Sequence, residues 1–268
     1  MANVTLENGK RLTYDDYDFT PPWVQAEPVV LIHGFSKNRK FWFEWIPHLA
    51  QHYRVIVPDL FGHGDSDPLP ADFKMALRPF SDDLALFLKA LDLKSAHFVM
   101  AEFSSVVALD FAVAHPSIIR SLVLPGFLYK IGSSGIDWEA WARLIEEKGS
   151  IGWARATNNT RLPANVDPAK REWYVTQQGR FPAAHLAGLF RFVKTLDLSP
   201  NLPLVQTPAL LMTGDQAVQE PPDSVRRAAT LMPRAQLKIF PGMPMNVMSA
   251  CPDLAIAETL RFLREIKQ

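Results

Sequence analysis

The chain has a single cysteine and lacks long apolar runs. Because Cys251 has no partner cysteine among the 268 residues, no disulfide can form within the chain. No apolar stretch reaches the roughly 18 residues that a membrane-spanning helix needs. The first residues are polar and contain no apolar core of a secretory signal. These absences lead us to expect a cytoplasmic protein that has no membrane partner.

Neither sign of charge dominates the sequence. The 28 Lys and Arg residues are matched by 28 Asp and Glu residues, so there is no net field to attract nucleic acid. The seven histidines are scattered and there is no cysteine pair, which argues against a metal site. The glycine-containing loops lack a P-loop lysine and a dinucleotide fingerprint. We therefore expect no nucleic-acid partner, no metal and no cofactor, while the oligomeric state is not indicated.

Short apolar runs alternate with amphipathic stretches along much of the chain. The runs lack the alternation of a half-buried strand, as expected of strands that are covered on both faces. They are "VVLI" at 29–32, "VIV" at 55–57, "HFVM" at 97–100 and "SLVL" at 121–124. At the N-terminus, Asn8 and Gly9 predict the turn of a hairpin. Together these patterns predict an α/β fold with a mostly parallel central sheet.

The alternation stops after Gly126 and resumes near residue 201. The intervening residues contain no convincing buried strand and are rich in tryptophan and amphipathic stretches, such as "IDWEAWARLIEEKG". We therefore predict a core formed by residues 1–126 and 201–268, with residues 127–200 inserted as a helical cap.

Several motifs in the same order and spacing resemble those of the α/β-hydrolase fold family. They are "LIHGF" at 31–35, "VPDLFGHGDSD" at 57–67, "FVMAEFSSVVALDFAVAHP" at 98–116 and "LLMTGD" at 210–215. The sequence looks most similar to 3-oxoadipate enol-lactonase-like and esterase-like members. The resemblance implies an α/β-hydrolase core, a Ser-Asp-His triad and an oxyanion hole made of two backbone N–H groups.

The three triad positions hold other residues in this chain. The family turn Gly-x-Ser-x-Gly corresponds to residues 100–104 without a gap, which places Glu102 at the nucleophile position. A one-residue gap would instead match Glu102 to the residue before a deleted serine. The acid position falls on Ala217 and the histidine position on Met245, and no histidine follows His185. Hydrolysis through an ordinary acyl-enzyme is therefore not expected.

The residues that remain favour proton transfer. A glutamyl ester formed at Glu102 would be trapped, because no histidine is present to activate the hydrolytic water. We predict that Glu102 acts as a general acid or base, with the N–H groups of Phe35 and Phe103 as the oxyanion hole. This combination suits isomerisation, elimination, decarboxylation or cyclisation of a small carbonyl or lactone-like substrate. Because Met100 and Ser104 replace the family glycines, we expect a relaxed turn.

The predicted substrate pocket is apolar and partly aromatic. Its expected lining comprises Trp138, Trp141, His185, Met243 and Met245. Such a pocket favours a small apolar or aromatic carbonyl compound as the ligand.

Other polar residues near the motifs are interpreted as structural. His33 and His63 are predicted to pack within their loops. Lys37, Arg39 and Lys40 follow the oxyanion loop and are predicted to form a solvated surface run.

Two further interpretations of the whole chain stay open at this point. The first is a catalytically silent protein that binds such a ligand as a receptor or carrier. The second is an engineered scaffold in which the triad has been replaced. An enzyme is favoured because a glutamate at the position that is strained in the family, facing a pocket, is costly to keep without a role.

Overall fold

The computed structural model describes residues 1–266 and contains one eight-stranded sheet. Its strands are β1 (Ala2–Thr5), β2 (Arg11–Tyr17), β3 (Pro28–Ile32), β4 (Arg54–Pro58), β5 (Ala96–Met100), β6 (Ile119–Pro125), β7 (Ala209–Gly214) and β8 (Ala235–Phe240). The spatial order is β1-β2-β4-β3-β5-β6-β7-β8. The β1–β2 and β2–β4 pairs are antiparallel, and all other pairs are parallel. The predicted mostly parallel sheet and its N-terminal hairpin are confirmed.

Helices cover the sheet and fill the segment between β6 and β7. The α-helices are α1 (Ile46–Leu49), α2 (Arg78–Ala90), α3 (Ser104–Ala114), α4 (Trp138–Thr157), α5 (Pro168–Gln178), α6 (Ala183–Val193), α7 (Pro222–Leu231), α8 (Val247–Ala250) and α9 (Pro252–Ile266). Helices α4, α5 and α6 fall within the predicted stretch 127–200. We refer to these three helices and the turns between them as the cap. Gly149, at φ 69°, interrupts α4 with a kink. Among residues 1–266, no helix is long and apolar enough to cross a membrane.

The central strands are buried on both faces, which explains their continuous apolar runs. In β3, Val30 and Ile32 join one hydrophobic cluster, while Val29 and Leu31 join a second cluster on the opposite face. Burial of this kind requires helices on both sides of the sheet. The carboxyl ends of the parallel strands then meet at one edge, where ligands of open α/β sheets bind.

Candidate active site

Glu102 lies in a tight turn between β5 and α3. Its φ of 55° is in the left-handed region, which a non-glycine residue rarely adopts. The turn is fixed to the strands on either side of β5, because Ala101 N–H donates to the Ile32 carbonyl and Glu102 N–H to the Pro125 carbonyl. Only 6% of Glu102 is exposed. The backbone therefore holds this carboxylate in a strained conformation inside the protein.

The expectation of a relaxed turn is wrong. Met100 and Ser104 replace the family glycines, yet both side chains are fully buried. The Ser104 hydroxyl donates to the carbonyl of His33 and so joins the start of α3 to the loop after β3. These side chains point into the protein and leave the left-handed conformation of Glu102 intact.

Two backbone N–H groups beside Glu102 have no acceptor among residues 1–266. The N–H groups of Phe35 and Phe103 donate no hydrogen bond to any other residue in the described range. Their rings pack edge to face with centroids 4.6 Å apart, which holds the two loops together. Free donors at these two positions are the arrangement that stabilises an oxyanion.

Lys37 forms a buried ion pair with Glu102. The Lys37 ammonium donates to Oε1 of Glu102, and Lys37 is only 2% exposed. The ammonium also lies 4.7 Å from the ring centroid of Tyr174 and 5.2 Å from that of Phe41. Burial lowers the pKa of Lys37, and the Glu102 carboxylate opposes that shift.

The predicted solvated run of basic residues is therefore wrong for two of its three members. Lys37 and Arg39 are buried, and only Lys40 is exposed. Arg39 is held by ion pairs with Asp15, Asp59 and Asp65. Carboxylates and aromatic rings contributed by distant segments replace the water that these cations would otherwise keep.

The Glu102 side chain also packs against two glycines, Gly34 and Gly126. A Cβ on Gly34 would lie 2.9 Å from Oε2 of Glu102, and one on Gly126 would lie 3.0 Å from its Cγ. Both distances are shorter than ordinary contacts, so side chains there would push the glutamate out of place. The two glycines thus leave the space that the carboxylate fills.

A pocket between the sheet edge and the cap contains Glu102. Its apolar walls are Phe35, Phe103, Leu128, Trp138, Trp141, Trp153, Phe190 and Met245. Trp138, Trp141 and Met245 were predicted for this wall, and the structure brings them together with Glu102. The space within the pocket is about 60 Å³, far below the roughly 300–1,000 Å³ of typical ligand sites. Because the pocket is open on one side, a larger ligand must either extend out of that side or displace part of the cap.

Two predicted pocket residues lie elsewhere. His185 is on α6, where its Nε2 lies 3.3 Å from the Pro70 carbonyl, and it does not line the pocket. Met243 packs against the hydrophobic cluster on the far face of the sheet. The helical turn of α6 directs its apolar residues, and not His185, toward the core.

Arg161 is a pocket residue that the sequence did not single out. It is 5% exposed and follows α4 in the cap. Its guanidinium carbon lies 4.4 Å from the ring centroid of Trp153, and Nη2 donates to the Ala154 carbonyl. Nε and Nη1 have no hydrogen-bond partner among the described residues. Burial lowers the pKa of Arg161 to about 10, so the group stays charged at neutral pH.

The fold agrees with a comparison against protein families. The family model of the alpha/beta hydrolase fold matches residues 27–179, more than half of the chain. The chain belongs to the alpha/beta hydrolase fold family. The predicted fold class and family are confirmed by this match.

The chain is similar to several known proteins, over about half of its length or nearly all of it. The 2-hydroxy-6-oxo-2,4-heptadienoate hydrolase of Pseudomonas putida is 33% identical over 52% of this chain and 49% of its own length. The non-heme chloroperoxidase of Streptomyces lividans is 26% identical over 98% of this chain and 100% of its own. The enol-lactonase structure from Burkholderia xenovorans has a TM-score of 0.86 at 18% identity and covers 98% of this chain and 100% of that chain.

The two positions that the sequence predicted for the acid and the histidine of a triad are both buried. Ala217 follows β7 and is 7% exposed, while Met245 is 4% exposed and lines the pocket. The nearby Glu220 accepts hydrogen bonds from the N–H groups of Tyr129 and Lys130. Burial raises the pKa of Glu220. Through these two hydrogen bonds, Glu220 fixes the backbone at residues 129 and 130, between β6 and α4.

His33 begins the loop after β3 and is held there in its neutral form. The Leu60 N–H donates to Nε2 of His33 at 3.1 Å, so Nδ1 carries the proton and donates to the Gly34 carbonyl at 2.8 Å. Burial lowers the pKa of His33 to about 4 and that of the adjacent His63 to about 3. The prediction that both histidines pack within the fold agrees with this placement.

We expect the protein to lose stability as the pH falls from about 6.5, the unfolded-state pKa of histidine, toward 4. Over this range the unfolded chain binds protons that folded His33 does not, so stability rises with pH. A shift of this size corresponds to about 3 kcal/mol for His33. Urea unfolding midpoints measured across this range would test it. His33→Gln should flatten the dependence, whereas His48→Gln, at an exposed position, should leave it unchanged.

Proposed function

We propose that this chain is a cofactor-free enzyme in which Glu102 transfers a proton to or from a small apolar carbonyl or lactone-like substrate. The observation that carries the proposal is the position of Glu102, buried at φ 55° beside two N–H groups that have no acceptor within the part of the chain that the structure describes. A base next to free backbone donors suits abstraction of a proton adjacent to a carbonyl. Isomerisation, elimination and cyclisation begin with such a step, whereas decarboxylation forms the enolate by loss of CO2 and needs the acid form of Glu102 to protonate its carbon.

The steps follow from the placement of the groups. Glu102 accepts the proton from the substrate carbon, and the N–H groups of Phe35 and Phe103 donate to the oxygen on which negative charge develops. Lys37 forms an ion pair with Glu102 and so holds the carboxylate in place for the transfer. Glu102 then returns the proton to the product carbon or to a leaving group. The tryptophans of the cap exclude water from the charged intermediate.

The experiment is product formation followed by mass spectrometry over esters, lactones, β-keto acids and enolisable ketones. Carbon–hydrogen exchange in D₂O, detected by proton NMR, would reveal proton abstraction even where no net product accumulates. We expect turnover or exchange with the ketones and β-keto acids. Hydrolysis of simple esters at a rate that is indifferent to Glu102 would contradict the proposal.

A ligand-binding protein is the second candidate, and the Lys37–Glu102 pair favours it. A carboxylate already engaged by an ammonium must give up part of that contact before it accepts a proton from a substrate. In that case a ligand would be captured and recovered unchanged, and no deuterium would enter it. Binding that survives Glu102→Gln without any product would favour this candidate over the enzyme.

A further inference from the structure

Arg161 is a buried cation that no carboxylate in the described chain neutralises directly. Its Nη2 donates to a neutral carbonyl, Trp153 covers its face, and Nε and Nη1 are unpartnered. A buried charge without a partner costs several kcal/mol, so such groups are normally paired or hydrogen-bonded. Arg161 lines the same pocket as Glu102, and its unused donors are covered by protein atoms, so a ligand reaches them once the neighbouring side chains move aside.

The charges around the pocket sum to a positive value. Arg161 and Glu102 line the pocket, and Lys37 lies next to it as the ion-pair partner of Glu102, so these three groups leave one positive charge. Aromatic and aliphatic side chains surround that charge, together with the neutral polar side chains of Ser36, Gln178, Gln219 and Asn246. A single monoanion would neutralise it. A dianion such as a phosphate monoester would overcompensate and would have to shed more hydration among the tryptophans.

We propose that Arg161 binds the carboxylate of the substrate. This inference rests on the proposed function and narrows the substrate to an apolar or aromatic carboxylic acid that also carries the reacting carbonyl. The carboxylate contacts the guanidinium in the cap while the carbonyl faces the N–H groups of Phe35 and Phe103. Arg161 is a specificity residue in this scheme, and Glu102 performs the proton transfer.

The test compares phenylacetate with its neutral amide, phenylacetamide, as probes of the intact protein. Binding is followed by tryptophan fluorescence, since three tryptophans line the pocket. We expect phenylacetate to bind at least about tenfold more tightly than phenylacetamide, as for a charge-assisted hydrogen bond. Arg161→Met should reduce this ratio to about one, and Arg161→Lys, which keeps the charge, should preserve part of it.

Arg155→Met is the matched control, because Arg155 is an exposed cap arginine that pairs with Glu172. It should leave the carboxylate preference intact. An equal preference in Arg161→Met and the native protein, or no preference in the native protein, would overturn the inference. Tighter binding of phenyl phosphate than of phenylacetate would overturn the choice of a carboxylate.

Failure of this inference is distinguishable from failure of the proposed function. Glu102→Gln removes a negative charge from the pocket, so it should keep or increase the preference for phenylacetate while abolishing deuterium exchange. Loss of the preference in Arg161→Met with exchange retained on neutral ketones would support both. Retained exchange in Glu102→Gln would reject the proton-transfer role and leave the carboxylate site standing.

Discussion

Glu102→Gln is expected to reduce turnover by about 10²- to 10⁴-fold, the usual contribution of a general acid or base. Glutamine keeps the length and shape of the side chain but cannot accept the substrate proton. Its amide oxygen can still accept a hydrogen bond from Lys37, so the turn should keep its geometry. The measurement is the initial rate on whichever panel compound the native protein converts, together with deuterium exchange into that compound.

Two controls make this result specific. Glu147→Gln changes an exposed glutamate of α4 and should leave the rate unchanged. The urea midpoint of Glu102→Gln should show that the variant is folded under assay conditions. A folded variant with an unchanged rate would mean that Glu102 is not the acid or base, and the ligand-binding candidate would then gain weight.

The sequence was sufficient to predict the sheet and the position of the turn. The apolar run at 97–100 and the helix that ends near His115 fix where β5 stops and α3 starts, so Glu102 had to lie between them. A strand that is buried on both faces is a short, continuous apolar run, so it can be recognised from its own residues without knowledge of its neighbours. Phe35 and Phe103 were expected beside the site on other grounds, namely the resemblance to the alpha/beta hydrolase fold, which implies oxyanion N–H groups at these two positions.

The ion pair of Glu102 could not be predicted in the same way. Three basic residues within four positions look like a solvated surface segment, and nothing local indicates that Lys37 is buried. Its burial depends on Tyr174, which α5 brings from the cap onto the loop after β3. A contact between segments so far apart in the chain produces no periodicity or motif in the local sequence of either segment.

The pocket residues of the cap could be predicted only in part. Helical spacing of the tryptophans indicated a buried face, and Trp138 and Trp141 do line the pocket. Arg161 lies in a short turn after α4, where a single arginine has no pattern to distinguish it from a surface residue. Its importance follows only from its burial and its unpartnered nitrogens.

The second large effect that we expect concerns stability, and it arises from the Lys37–Glu102 pair. Lys37→Met should cost about 3–5 kcal/mol of unfolding free energy, because it leaves the Glu102 carboxylate buried without its ammonium. Lys40→Met is the matched control, since Lys40 lies in the same loop but is exposed. Its unfolding free energy should stay within about 0.5 kcal/mol of the native value. Urea unfolding of both variants at neutral pH would measure the difference.

A double-mutant cycle separates the pair from the packing around it. If the cost of Lys37→Met comes from an uncompensated charge, Lys37→Met combined with Glu102→Gln should be more stable than Lys37→Met alone. The coupling free energy should then reach at least about 2 kcal/mol, as for residues in direct contact. If the two losses add to within about 0.5 kcal/mol, the ammonium and the carboxylate are held by their separate surroundings. Lys37 would then no longer explain how the Glu102 carboxylate is held in place for the transfer.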